Sequence, residues 1–356
     1  MESKEILKNT KQRNFRAAGI VLFCVSIGLL LARIGVNLLN RALYGKMDDF
    51  TLEILLDVIF TFSVQVVSLG VVPFLVYKLY LKAKTRDIFY MSNYARVDWR
   101  ILLCSFVIGL CALFVTIFVS STWQSIIIVI FGYDPSSSTV MPEKFNIFHF
   151  LLSLLLTAVC PAIFEEFVNR GIALNVIRNS CGRFITLLLA GVMFGLFHQH
   201  VLQVFYTMLM GILLAYLTLR TKSIWPAVVV HFTNNATSVT LDFLGEYSAF
   251  DPLGFISNLM SNSYPLFMMI VLACAGIIVL MIMLINKIYA RNFVNRFSGV
   301  TCDGKLNERV VGSLIHPNIS CEYARYKPTA KDLVFYVGAI FVTVVATILT
   351  LVWGVF

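Results

Sequence analysis

Nine apolar runs divide this chain and decide what it can fold into: about 17–39, 54–80, 101–131, 147–164 with a helical continuation to about 179, 184–199, 202–219, 224–244, 265–286 and 333–355. About 20 apolar residues cross the roughly 30 Å hydrocarbon core of a bilayer as a helix. A spanning segment must satisfy its own backbone hydrogen bonds, which leaves helices and closed barrels, and runs of this length are helical. The residue balance agrees. Of 356 residues 59% are hydrophobic and only 13% charged, against about 25% charged in a soluble domain. The expected fold is therefore all-α, a polytopic integral membrane bundle of about nine transmembrane helices. The pair within 184–219 has no Gly-Pro turn signal, so its turn is placed at the polar stretch Gln199-His200…Gln203. The first run is too long for a signal-peptide core and lacks a small-residue cleavage site.

Charge sets the orientation. Twenty-two of the 28 Lys and Arg fall in alternate polar stretches: 1–16, 82–100, Arg178 with Arg183, Arg220 with Lys222, and 287–331. Basic loops stay in the cytosol, so the N-terminus is expected there and the C-terminus outside. The net charge of +9 thus reports topology rather than nucleic-acid binding. The expected organisation is 1–100, two helices and a basic loop; 101–286, a core with its polar motifs at 165–235; 287–332, a cytosolic segment; and 333–356, a last helix. Most of the eight cysteines sit in apolar runs, with no CxxC, and read as buried thiols. Cys302 and Cys321 sit in polar sequence and support neither a zinc site nor a disulfide. The tail Trp353-Gly354-Val355-Phe356 carries no CaaX cysteine.

Ionisable groups in hydrocarbon are costly and default to functional candidates. Three clusters qualify. The first is Glu165-Glu166-Phe167-Val168-Asn169-Arg170, where Glu166 and Arg170 are four apart and can pair across one turn. Pro161, just upstream, removes a backbone donor and is expected to kink the helix. The second is Phe194-Gly195-Leu196-Phe197-His198. The third is His231-Phe232-Thr233-Asn234-Asn235, with His231 and Asn235 on one face.

These groups share a depth. At 1.5 Å per residue, Glu165 lies about 20 Å from Arg178 and His198 about 22 Å from Arg183. His231 and Asn235 lie about 14 and 20 Å from Lys222. A lone membrane histidine can be an interhelical hydrogen-bonding group, and Glu166–Arg170 can be a structural ion pair. Three clusters at one level on three helices argue for a site. His200 reads as a solvated or capping residue, His149 and His316 as unpartnered entry or loop residues, Asp242 as a residue near the outer end of its span, and Arg33 and Lys78 as snorkelling cations.

Glu165-Glu166…Arg170, Phe194…His198 and His231…Asn235, in that order on successive helices, resemble the CAAX-protease and bacteriocin-processing (Abi) family of intramembrane proteases over roughly 147–245. The resemblance implies that Glu165 and His198 activate a water, that His231 and Asn235 stabilise the oxyanion, and that Glu166 and Arg170 hold the helix and its carboxylates. It favours catalysis without a bound metal. Glutamate with two histidines is also a zinc set, and a metal, if present, would take Glu165, His198 and His231.

The expected activity is hydrolysis of a peptide bond in a membrane-associated peptide or protein, with or without a lipid attached, from the cytosolic side. The expected partners are that substrate and the bilayer, with no nucleic acid. The alternative is a non-proteolytic immunity or regulatory protein on the same fold. A transporter with a carboxylate proton relay finds no pair of matching broken helices to support it.

Overall fold

The computed structural model describes residues 2–132, 146–247, 251–297 and 326–353. These form eleven helices: α1 Glu2–Leu43, α2 Asp49–Tyr80, α3 Thr85–Met91, α4 Trp99–Phe131, α5 Ile147–Ser180, α6 Arg183–Phe197, α7 Val201–Thr221, α8 Trp225–Tyr247, α9 Pro252–Asn262, α10 Tyr264–Phe297 and α11 Ala330–Trp353. The described residues contain no strand, and the fold is an all-α membrane bundle. Each of the nine apolar runs coincides with a helix among the described residues. Seven of these helices are long and apolar enough to cross a membrane; α6, at 15 residues, is shorter, and α8 is not among the seven. The turn between α6 and α7 falls at His198-Gln199-His200, with Gln203 already inside α7. Cys302, Cys321 and His316 lie outside the described residues.

Two short helices are absent from the apolar pattern. α3 lies within the basic 82–100 stretch, where no apolar run marks it. α9 is started by Asp251, whose carboxylate accepts the N–H groups of Leu253 and Gly254, with Pro252 at the first helical position.

Small residues let the helices close on one another, as lipid-embedded packing requires. A Cβ added at Gly191 would stand 2.7 Å from the Met208 carbonyl oxygen, and one at Gly195 2.5 Å from that of Val204. Gly191-x-x-x-Gly195 of α6 is thus pressed directly onto the backbone of α7. Gly109 brings α4 against Thr233 of α8 in the same way. The first and last helices also pack together. Gly19 faces Tyr336, Gly338 faces Phe23, and the fully buried Asp332 takes Arg16 Nε at 2.6 Å.

Prolines reshape two helices. In α5 the backbone is π-helical over Leu154–Val159, directly before Pro161, and again over Phe167–Ala173. In α2 it is π-helical over Phe62–Val71, directly before Pro73. A proline has no N–H for the carbonyl four residues back, and the helix can widen into a π turn there. The expected distortion at Pro161 takes this form. π turns often accompany functional sites, and both α2 and α5 contribute to the one below.

Candidate active site

Glu166 is fully buried and is the hub of the polar interior. Its Oε1 accepts Arg170 Nη1 and His231 Nδ1, each at 3.0 Å. The first bond spans one turn of α5; the second ties α5 to α8. Arg170, also buried, donates through Nη2 to the Gly211 carbonyl oxygen of α7 at 3.2 Å. A charge at this depth needs partners; Glu166, Arg170 and His231 supply them to one another across α5 and α8, and the Gly211 carbonyl adds one from α7.

Phe194 explains the aromatic position four residues before His198. Its ring lies 5.0 Å from that of His198 and 5.7 Å from that of His231, edge-on to both. The Arg170 guanidinium stands 4.2 Å above it. A desolvated cation over an aromatic face contributes about 2 kcal/mol, so Phe194 is a packing centre between both histidines and the arginine.

Glu165 points elsewhere. It lines a cavity of about 130 Å³ together with His198, Asn169, Arg33, Gln65, Gln199 and Gln203, against apolar walls such as Leu29, Val64 and Leu69. Gln65 Nε2 donates to Glu165 Oε1 at 2.9 Å, fixing the carboxylate from α2. His198 Nδ1 is 2.9 Å from the Phe194 carbonyl oxygen, so this nitrogen donates and Nε2 is left as the acceptor.

The structure therefore brings Glu165 and His198 into one cavity. His231 does not line it; it sits against Phe194 with Nδ1 on Glu166. Asn235 does not line it either, and its amide donates to the Thr157 carbonyl oxygen at 3.0 Å. Pro161 has no N–H, so this stretch of α5 is short of one backbone donor. Asn235 brings a donor from α8 to this stretch at the Thr157 carbonyl. Among the described residues no three His, Cys, Asp or Glu side chains are grouped to hold a metal ion, so Glu165, His198 and His231 do not form a ligand set in this arrangement.

Several secondary expectations change. Arg33 does not snorkel: it lines the cavity and donates through Nη2 to the His198 carbonyl oxygen at 3.0 Å. His149 has partners: it completes a capping box with Asn146 and packs on Phe50. His200 holds the N-cap position of α7, but its side chain makes no cap bond. From the sequence Gln65 is not singled out, Arg33 reads only as a snorkelling cation and Gln199 only as part of a turn. Gln65 and Arg33 come from helices outside the 101–286 core, where a polar residue in an apolar run is the only signal.

Residues 147–237 match the family model described as "Rce1-like: Type II CAAX prenyl endopeptidase Rce1-like". The match is consistent with the resemblance of this segment to the CAAX-protease and bacteriocin-processing family. The match covers about a quarter of the chain and contains Glu165, Glu166, Arg170, His198, His231 and Asn235. Arg33, Gln65 and the helices carrying them lie outside it. No curated protein and no solved structure matches the chain. The apolar helices support a multi-pass integral membrane protein, and the matched segment is similar to CAAX-protease-type peptidases.

Proposed function

We propose that the protein is an intramembrane endopeptidase that hydrolyses a peptide bond in a membrane-associated peptide or protein, reached from the cytosolic side, with its N-terminus in the cytosol. The observation that carries this reading is the shared cavity of Glu165 and His198, two groups from different helices with an acceptor each to offer a water. Amide hydrolysis needs a base near the water and donors near the developing oxyanion.

In this reading a water hydrogen-bonded to Glu165 and His198 Nε2 attacks the scissile carbonyl carbon. Its proton passes to that pair and then to the departing amine as the C–N bond breaks. On the resemblance, His231, held at Nδ1 by Glu166, is assigned to the oxyanion, although it does not line the cavity in this arrangement. Asn235 is assigned to the same oxygen on the same basis, and it too lies outside the cavity lining. Glu166 and Arg170 position His231 and take no proton. No step passes through a metal.

The substrate class follows the family description, a CAAX-type chain, with or without a prenyl group. Comparing membrane peptides from cells with active protein and cells with Glu165→Ala tests the reading. A peptide set that disappears only with the active protein is expected; identical sets contradict it.

A further inference from the structure

Cations at the ends of α6 and α7 are built into one array. Arg220, in the last turn of α7, donates through Nε to Asn286 Oδ1 of α10 and through Nη2 to the Asn286 carbonyl oxygen at 3.4 Å. Its guanidinium also stands 5.1 Å from the Tyr289 ring centroid. Asn286 Nδ2 donates in turn to the Tyr216 hydroxyl at 3.0 Å, one helical turn before Arg220. The Arg183 guanidinium of α6 stands 6.0 Å from that same Tyr216 ring. Lys222 completes the array in the turn that follows α7.

An amide and two aromatic rings hold the two arginines, and no carboxylate does. Among the described residues Arg183, Arg220 and Lys222 make no ion pair. Lys222 bears the consequence. It is half-buried with a left-handed φ of 58°. Burial, then the charges of Arg178, Arg183 and Arg220, lower its pKa to about 8. Backbone strain and like-charge repulsion thus meet at one residue. Strain of this kind collects at ligand clamps, and repulsion among cations is relieved by an anion. Lys84 and Arg86, in the basic 82–100 stretch, are by contrast exposed.

The surroundings define the anion. A guanidinium matches phosphate oxygens in geometry and charge. Directly beyond Arg183, the apolar Phe184, Ile185 and Leu188 of α6 are 79%, 51% and 43% exposed, a flank that meets acyl chains in a membrane bundle. Trp225, three residues past Lys222, is also exposed, and tryptophan collects at the level of lipid headgroups. A phosphate carried on acyl chains satisfies both the cations and the apolar flank; free phosphate satisfies only the cations. Basic pockets between membrane helices take such headgroups.

We infer that Arg183, Arg220 and Lys222 form a binding site for the phosphate of an anionic phospholipid, beside Tyr216 and Asn286. The site stands apart from the peptidase reading, since none of these residues lines the cavity of Glu165 and His198.

The test follows thermal unfolding of the full-length protein in neutral detergent at pH 7, with added dioleoyl phosphatidylglycerol, dioleoyl phosphatidylcholine or inorganic phosphate. Phosphatidylglycerol is expected to raise the unfolding midpoint saturably, by about 3 °C at tenfold excess over its Kd. Phosphatidylcholine and inorganic phosphate should leave it within about 1 °C. Arg183→Gln combined with Lys222→Asn, asparagine tolerating the left-handed φ, should lose most of the phosphatidylglycerol shift. Lys84→Gln combined with Arg86→Gln removes the same charge and should keep that shift. An equal shift with phosphatidylcholine, an unchanged shift in the first double variant, or an equal loss in the second overturns the assignment. An equal shift with inorganic phosphate also overturns it and marks a free-anion site instead. If the first double variant does not fold, Arg183→Gln alone decides, and a full phosphatidylglycerol shift there overturns the assignment.

Discussion

Glu166 receives His231 Nδ1 at 3.0 Å, joining α5 to α8 across 65 positions of sequence. The same carboxylate oxygen holds Arg170, so one buried anion carries two donors. Removing one partner of such an arrangement leaves an uncompensated buried charge. Glu166→Gln is expected to destabilise the detergent-solubilised protein by about 3–5 kcal/mol. Thermal unfolding checks this. A melting temperature equal to that of wild type would show that the three groups do not share charge.

Asn235 and Pro161 are predicted to be coupled. Asn235→Ala removes the donor to Thr157 and should cost about 1–2 kcal/mol. Pro161→Ala restores a backbone donor to this stretch of α5. In the Pro161→Ala background the further loss on Asn235→Ala should shrink to a few tenths of a kcal/mol. A double-mutant cycle by thermal unfolding measures the difference; strict additivity would refute the link.

Gly191→Val places side-chain atoms into the Met208 carbonyl, which is backbone and cannot swing away. α6 must then withdraw from α7, taking His198 at its C-terminal end with it. Cleavage is expected to fall at least tenfold, the scale expected when a catalytic group shifts by about 1 Å. Gly35→Val, with nothing within 4 Å of an added Cβ, is the control and should behave as wild type.

Lys222 sits in the turn between α7 and α8 with a left-handed φ of 58°. Burial, then the Arg178, Arg183 and Arg220 charges, push its pKa down to about 8. The folded state therefore binds fewer protons than the unfolded one between pH 8 and 10.5, and this group makes stability rise with pH across that window. Lys222→Gly removes both the like charge and the Cβ strain. It should raise the melting temperature at pH 7 and flatten the rise above pH 8. A variant less stable than wild type at pH 7 would contradict this.

Much of the fold and part of the site were legible in the sequence, for a specific reason. Glu165, Glu166, Arg170, His198, His231 and Asn235 are conspicuous because hydrocarbon does not tolerate them idly. Helix periodicity relates residues three and four apart, so Glu166–Arg170 could be read directly. It says nothing about pairs such as Gln65–Glu165, which meet only because Gly70 of α2 packs on Phe164 of α5. Arg33 was read as a snorkelling cation because its partner, the His198 carbonyl, is a backbone group made available by the turn after Phe197. The π turns at Leu154–Val159 and Phe167–Ala173 also escaped, since apolar periodicity over six or seven residues does not separate them from α-helix. The Gly191-x-x-x-Gly195 pattern was present and its packing role went unread.

The central claim is that Glu165 and His198 act on one water. The most direct measurement is single-turnover cleavage of an anchored peptide in proteoliposomes by wild type, Glu165→Gln, His198→Ala and the double variant. The account predicts a loss of at least about a thousandfold for each single variant with melting temperatures retained, and a double variant no worse than either alone, as for groups acting as a unit. Cleavage by Glu165→Gln within tenfold of wild type would contradict it.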